Sequence, residues 1–150
     1  MRLPKDDKEY GSAEQDGSGK LLVTARECSK FLLKKCGLVR PFGLVLERAG
    51  QSVRSFYPKD TGPDATWLEL LGLAERELRA AIESGDAAGV ALVTGLESDS
   101  DTAIGVQVET ASMTLFLLYR YRKGLLGWRL DEPDSPGGFL IDPPFYPSKV

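Results

Sequence analysis

The chain has no histidine, only two cysteines and two tryptophans, and no long hydrophobic run. Each shortage removes a class of chemistry. Without histidine a general base has to be a carboxylate, lysine, cysteine or tyrosine. Two thiols alone fall short of the four ligands that close a structural zinc site. No apolar stretch approaches the ~20 residues that span a bilayer, and the amino terminus MRLPKDDKEYGSAEQDGSGK has no apolar segment of the kind a secretory signal carries. A formal net charge of −3 supplies no positive excess for nucleic acid. The expected partners therefore include neither a membrane nor nucleic acid, and no cofactor or metal is expected.

The 150 residues, 42% hydrophobic and 27% charged, suit one globular domain with a real core. Residues 1–20 are charged and rich in Gly and Ser, and read as a flexible arm. Residues 21–131 form the domain. Residues 132–150 carry five of the nine prolines and read as an extended tail. In the arm, GSGK (17–20) lacks the surroundings of a phosphate loop, because Glu14 and Leu21 stand where Gly and Ser or Thr are needed.

Both cysteines lie in TARECSKFLLKKCG (24–37). Thr24 and Glu27 have the spacing of a capping box. Cys28, Phe31, Leu32 and Cys36 follow at helical spacing, and Gly37 and Pro41 mark the stop. On that helix the two thiols are ~12 Å apart, beyond the roughly 7 Å that a disulfide allows. They read as small hydrophobes on a buried stripe. Unpaired thiols suit a reducing compartment, so the cytoplasm is the expected location.

FGLVLER (42–48) and VRSFY (53–57) flank Ala49–Ser52 and read as a hairpin. A second helix follows TGPD (61–64), capped by Thr66 with Glu69 or by Asp64, with Trp67, Leu70, Leu71, Ala74, Leu78, Ala81 and Ile82 on one stripe. VALVTGL (90–96), TAIGVQVET (102–110), MTLFLLYRYR (113–122) and LLGWRL (125–130) complete the pattern, the last three joined by short turns that make antiparallel neighbours. The expected fold is α+β in the order α-β-β-α-β-β-β-β, an antiparallel sheet of about five to six strands with both helices packed on one face. In this order, and in texture such as FGLVLE before the hairpin, the chain resembles roadblock and profilin-like domains and small bacterial families of unknown function. The resemblance implies a fold and assigns no residue a role.

Register then sorts the side chains. With Ala111-Ser112 as turn, Val108, Val106 and Ile104 oppose Leu115, Leu117 and Tyr119. With Lys123-Gly124 as turn, Leu117, Tyr119 and Tyr121 oppose Leu130, Trp128 and Leu126. These share the core face. The other face carries Phe116, Leu118, Arg120 and Arg122, then Arg129, and Arg54 and Phe56 from the first hairpin. Two helices cover little more than one side of a sheet roughly 29 Å wide. The second face is thus open to a partner, dimerised, or covered by FLIDPPFYP of the tail.

Arg and aromatic residues are what interface centres enrich. The seven residues Phe116, Leu118, Arg120, Arg122, Arg129, Arg54 and Phe56 are accordingly the candidate site for a protein partner, possibly a second copy. No catalytic set stands out. Glu97, Asp99 and Asp101 in ESDSD lack the ligand spacing of a calcium loop, and no nucleophile elbow or dinucleotide turn is present. The expected function is a non-catalytic cytoplasmic interaction module, immunity- or adaptor-like, binding an acidic protein surface. The alternatives are a small-molecule-sensing domain with a pocket between helices and sheet, and an enzyme using carboxylates.

Overall fold

The computed structural model describes residues 17–49, 51–59, 65–97, 102–135 and 145. Most of the amino-terminal arm, the ESDSD loop after Glu97 and most of the tail lie outside the described residues. The fold is α+β: α1 (Ser18–Cys36), β1 (Phe42–Glu47), β2 (Val53–Phe56), α2 (Trp67–Glu83), β3 (Ala87–Glu97), β4 (Thr102–Thr110), β5 (Thr114–Gly124) and β6 (Gly127–Leu130). The six strands form one antiparallel sheet in the order β2-β1-β3-β4-β5-β6.

Helix α1 begins earlier than the capping pattern suggests, and the boundary at residue 20 falls in its first turn. It starts from Gly17 in the left-handed region (φ 85), with no side-chain cap. A Cβ at Gly17 would overlap Leu46, so this start requires glycine for both backbone and space. Thr24 lies within the helix, and its hydroxyl donates to Lys20 O at 2.8 Å. The buried stripe is Leu21, Ala25, Ser29 and Leu33. Cys28 is half-buried on its flank and Cys36 is exposed, so the thiols do not form the expected core stripe. Gly37 (φ 77) closes the helix by donating to Leu33 O at 2.9 Å.

Helix α2 follows its sequence signals closely. Thr66 Oγ1 accepts from Glu69 N at 3.1 Å, and Thr66 N donates to Glu69 Oε1 at 3.0 Å, a reciprocal capping box. Leu70, Ala74, Leu78 and Ala81 form its buried stripe.

The two helices lie on opposite faces, which corrects the one-face arrangement. Phe42, Leu44, Leu46, Ala91 and Val93 pack with Leu21, Ala25 and Leu33 of α1. Val45, Val90 and Leu92 pack with Ala74, Leu78 and Ala81 of α2. The cause is the continuous apolar run in β1 and in much of β3, which needs cover on both sides. Gly43 permits the closest approach, since a Cβ there would lie 2.9 Å from Leu78 Cδ2.

The β4–β5 register pairs Val108, Val106 and Ile104 with Leu115, Leu117 and Tyr119, as alternation predicts. The β5–β6 register differs. Its turn is Leu125-Leu126, so Trp128 opposes Lys123 and Leu130 opposes Tyr121. Gly127 at φ 110 supplies the conformation that closes this turn. The slip spans an even number of positions, so faces are kept: Trp128 stays on the α1 side, edge-on to Tyr121 at 5.6 Å, and Arg129 points the other way.

Two separate cores make a testable pair. Leu21→Ala and Leu78→Ala are each expected to lower unfolding free energy by about 2–5 kcal/mol in urea titrations. Val23→Ala, on the exposed side of α1, is expected to change it by less than about 0.5 kcal/mol. Thr66→Ala removes the α2 cap and is expected to cost about 1 kcal/mol in the same titration.

Candidate interaction surface

Five of the seven sequence-nominated residues come together. Phe116, Leu118, Arg120 and Arg122 alternate along β5 on the face that α2 shares, and Arg129 of β6 pairs directly with Arg122. Arg54 and Phe56 do not join them. They sit on β2 at the far edge of the sheet, beyond β1, β3 and β4. Arg54 is there engaged by Glu47 at 3.5 Å and by Glu77 of α2 at 3.7 Å.

The face is less open than alternation alone implies. Phe116 and Leu118 are half-buried. Leu118 exchanges two backbone hydrogen bonds of 2.8 Å with Asp134, so the chain after β6 continues along the edge of β5. Arg120 pairs with Asp134, and Arg122 lies 3.7 Å from Asp131. Over β4, Phe145 is buried in the α2 core, its ring 4.9 Å from the Arg79 guanidinium. Its N–H donates at 3.0 Å to the carboxylate of the fully buried Glu109, which also accepts at 2.5 Å from Gln107 Nε2. Of the stretch FLIDPPFYP, only Phe145 is among the described residues, and it occupies this face.

A second surface emerges that no single stretch of sequence announces. Of the eight exposed large apolar residues among the described residues, six (Leu38, Tyr57, Trp67, Leu68, Leu125 and Leu126) lie toward one end of the sheet. That is the end where α1, β2, β3 and β5 finish and α2 begins. At that end is a cleft of about 550 Å³ lined by Leu38, Val39, Trp67, Gly95, Leu96 and Tyr121. Gly95 makes the close packing possible. Its N–H donates to Val39 O at 2.9 Å, and a Cβ there would sit 2.8 Å from that oxygen. The Trp67 indole N–H reaches Thr94 Oγ1 at 2.7 Å and Gly95 O at 3.2 Å, which fixes the ring against the cleft. These residues come from separate elements and connections, so periodicity within one element gives no signal of the cluster. Leu125 and Leu126 look like the start of a core strand but form the tip of the β5–β6 ribbon.

Among the described residues, β4 pairs with β5 only as far as Arg120, and β5 continues to Gly124. Arg122, Lys123 and Arg129 therefore flank the leucine tip, with Lys123 Nζ 5.8 Å over the Trp128 ring. Among the described residues, no group of three His, Cys, Asp or Glu side chains is placed to hold a metal ion. Glu69 is held below the usual carboxylate range by the Thr66 backbone N–H. Burial, and then a hydrogen bond with the Cys28 thiol, push Tyr57 up to about 12.

Comparisons with family models, with curated proteins and with solved structures find no match for this chain.

Two measurements check the placement of these groups. A thiol reagent is expected to modify Cys36 rapidly in the folded protein and Cys28 much more slowly. Because the folded-state pKa of Tyr57 is raised, the stability it contributes is present below pH 10 and lost as pH rises toward 12. Denaturant titrations across that window should show a steeper loss for the wild type than for Tyr57→Phe.

Proposed function

We propose that the chain is a non-catalytic, cytoplasmic protein-interaction module, immunity- or adaptor-like, that binds an acidic protein surface through the β5–β6 side of its sheet. The observation that carries this reading is the β5–β6 ribbon. It sets Arg122 and Arg129 side by side and leaves Leu125 and Leu126 bare between basic residues. An apolar centre with a charged rim is the make-up of a docking surface, and guanidinium groups grip carboxylates through paired N–H donors. Among the described residues Arg129 has no ion-pair partner, so its charge is at hand for a second protein. No helix of the described residues is long and apolar enough to cross a membrane. The immunity or adaptor role is an analogy of size and surface, and the partner decides it.

Affinity capture with the wild type and with Arg122→Glu/Arg129→Glu, followed by association kinetics on the recovered partner, tests the reading. The charge-reversed variant is expected to associate more slowly and to lose most of the salt dependence, with melting unchanged. Phe116→Ala, half-buried, is expected to lower both binding and melting temperature. Equal association rates for wild type and charge-reversed protein would remove the ribbon from the docking surface.

A second reading, small-molecule sensing, is favoured by the cleft at the sheet end, whose volume lies in the range of roughly 300–1,000 Å³ typical of ligand sites. A ligand stacked there would change Trp67 fluorescence, and Leu38→Asp would abolish the change.

A further inference from the structure

The outer edge of β5 carries a piece of this chain that has the make-up of a ligand. After β6 ends at Leu130, the next four residues are Asp131, Glu132, Pro133 and Asp134, three of them acidic. They continue along β5. Asp131 N donates to Arg120 O, and Leu118 and Asp134 exchange two N–H···O bonds, all at 2.8 Å. Their carboxylates engage the arginines of the same strand: Asp134 pairs with Arg120, and Asp131 lies 3.7 Å from Arg122. An extended peptide that adds to a sheet edge is held by backbone hydrogen bonds and selected by its side chains. Residues 131–134 show both.

Their hold is slight. Pro133 has no N–H and interrupts the ladder. Glu132, Pro133 and Asp134 are exposed. Both ion pairs are open to water, with Asp134 54% and Arg122 66% exposed, and such pairs contribute little. The seat beneath them is strongly cationic. Arg122 and Arg129 stand directly opposite one another, and like charges so placed repel.

We propose that residues 131–134 are an autoinhibitory latch, an acidic strand built into the chain, which an extended acidic segment of the partner displaces from the edge of β5. The inference rests on the interaction-module reading. It gives the partner a shape as well as a charge: a strand-like stretch with two carboxylates three residues apart, the spacing of Asp131 and Asp134. The incoming strand takes over the backbone bonds to Arg120 and Leu118 and offers its carboxylates to Arg120 and Arg122. A further carboxylate on it can reach Arg129, which favours the incoming strand over the latch.

Titration of the full chain with the amidated peptide LDEPDSP, residues 130–136, followed by NMR, tests the proposal. The released variant Asp131→Asn/Asp134→Asn is expected to bind this probe about ten-fold more tightly than the wild type, as removal of a closed state populated roughly nine times in ten requires. Adding Arg120→Ala/Arg122→Ala to the released variant is expected to abolish binding, with unchanged circular dichroism. A probe N-methylated at Asp134 lacks the N–H that Leu118 O accepts and is expected to bind much more weakly. In the unaltered wild type, the Leu118 amide is expected to exchange with solvent far faster than that of Val106 in the middle of the sheet. Equal affinity of wild type and released variant overturns the latch, as does no binding by the released variant, or a Leu118 amide as protected as Val106. Full binding of the N-methylated probe overturns strand addition and leaves charge alone to hold the peptide. A captured partner that depends on Arg122 and Arg129 but binds wild type and released variant alike sinks the latch and leaves the interaction-module reading standing.

Discussion

The side chains of β1 and β3 leave water in both directions. Leu44, Leu46, Ala91 and Val93 enter the layer under α1, while Val45, Val90 and Leu92 enter the layer under α2. A pair of strands apolar on both sides has to sit in the middle of a sheet with cover above and below. From this constraint come the opposed helices, the placement of the β1–β2 hairpin at one rim, and the run of β4, β5 and β6 toward the other. It also divides the α2 face. Among the described residues, that helix covers β1 and β3, and Phe145 adds cover at Glu109 of β4.

Much of this architecture is written in alternation and turn length. The β4–β5 pairing follows from period-two patterning around Ala111-Ser112. The faces of Tyr121, Trp128 and Arg129 follow even though the turn lies two residues further on, because an even slip preserves parity. The capping box of α2 is equally plain, since Thr66 and Glu69 use side chains to satisfy backbone donors. The start of α1 leaves no such trace. Gly17 begins it through backbone conformation alone, and the better-looking pair at Thr24 and Glu27 lies inside the helix.

The candidate site was legible in part, for a similar reason. Neighbours joined by a short turn declare themselves, so Phe116, Leu118, Arg120, Arg122 and Arg129 are grouped correctly on one face. Arg54 and Phe56 share that parity but not that place. Their distance depends on β1 choosing β3 as its other neighbour, a pairing across the whole of α2 that no local pattern encodes. The cleft is harder still, because Leu38, Trp67, Leu96 and Tyr121 meet only once α2, β3, β5 and the α1–β1 connection have taken their positions.

The two rims of the sheet have a consequence for how the protein behaves in a crowded solution. The strand at each rim has only four residues; β2 carries Arg54 and β6 carries Arg129, with Pro133 close behind. Short, charged rims are poor templates for another chain's strand. Beyond β6, moreover, the outer side of β5 is occupied by the bridge to Asp134. Growth by strand addition, the route toward fibrous aggregates, is thereby discouraged along the hydrogen-bonding direction.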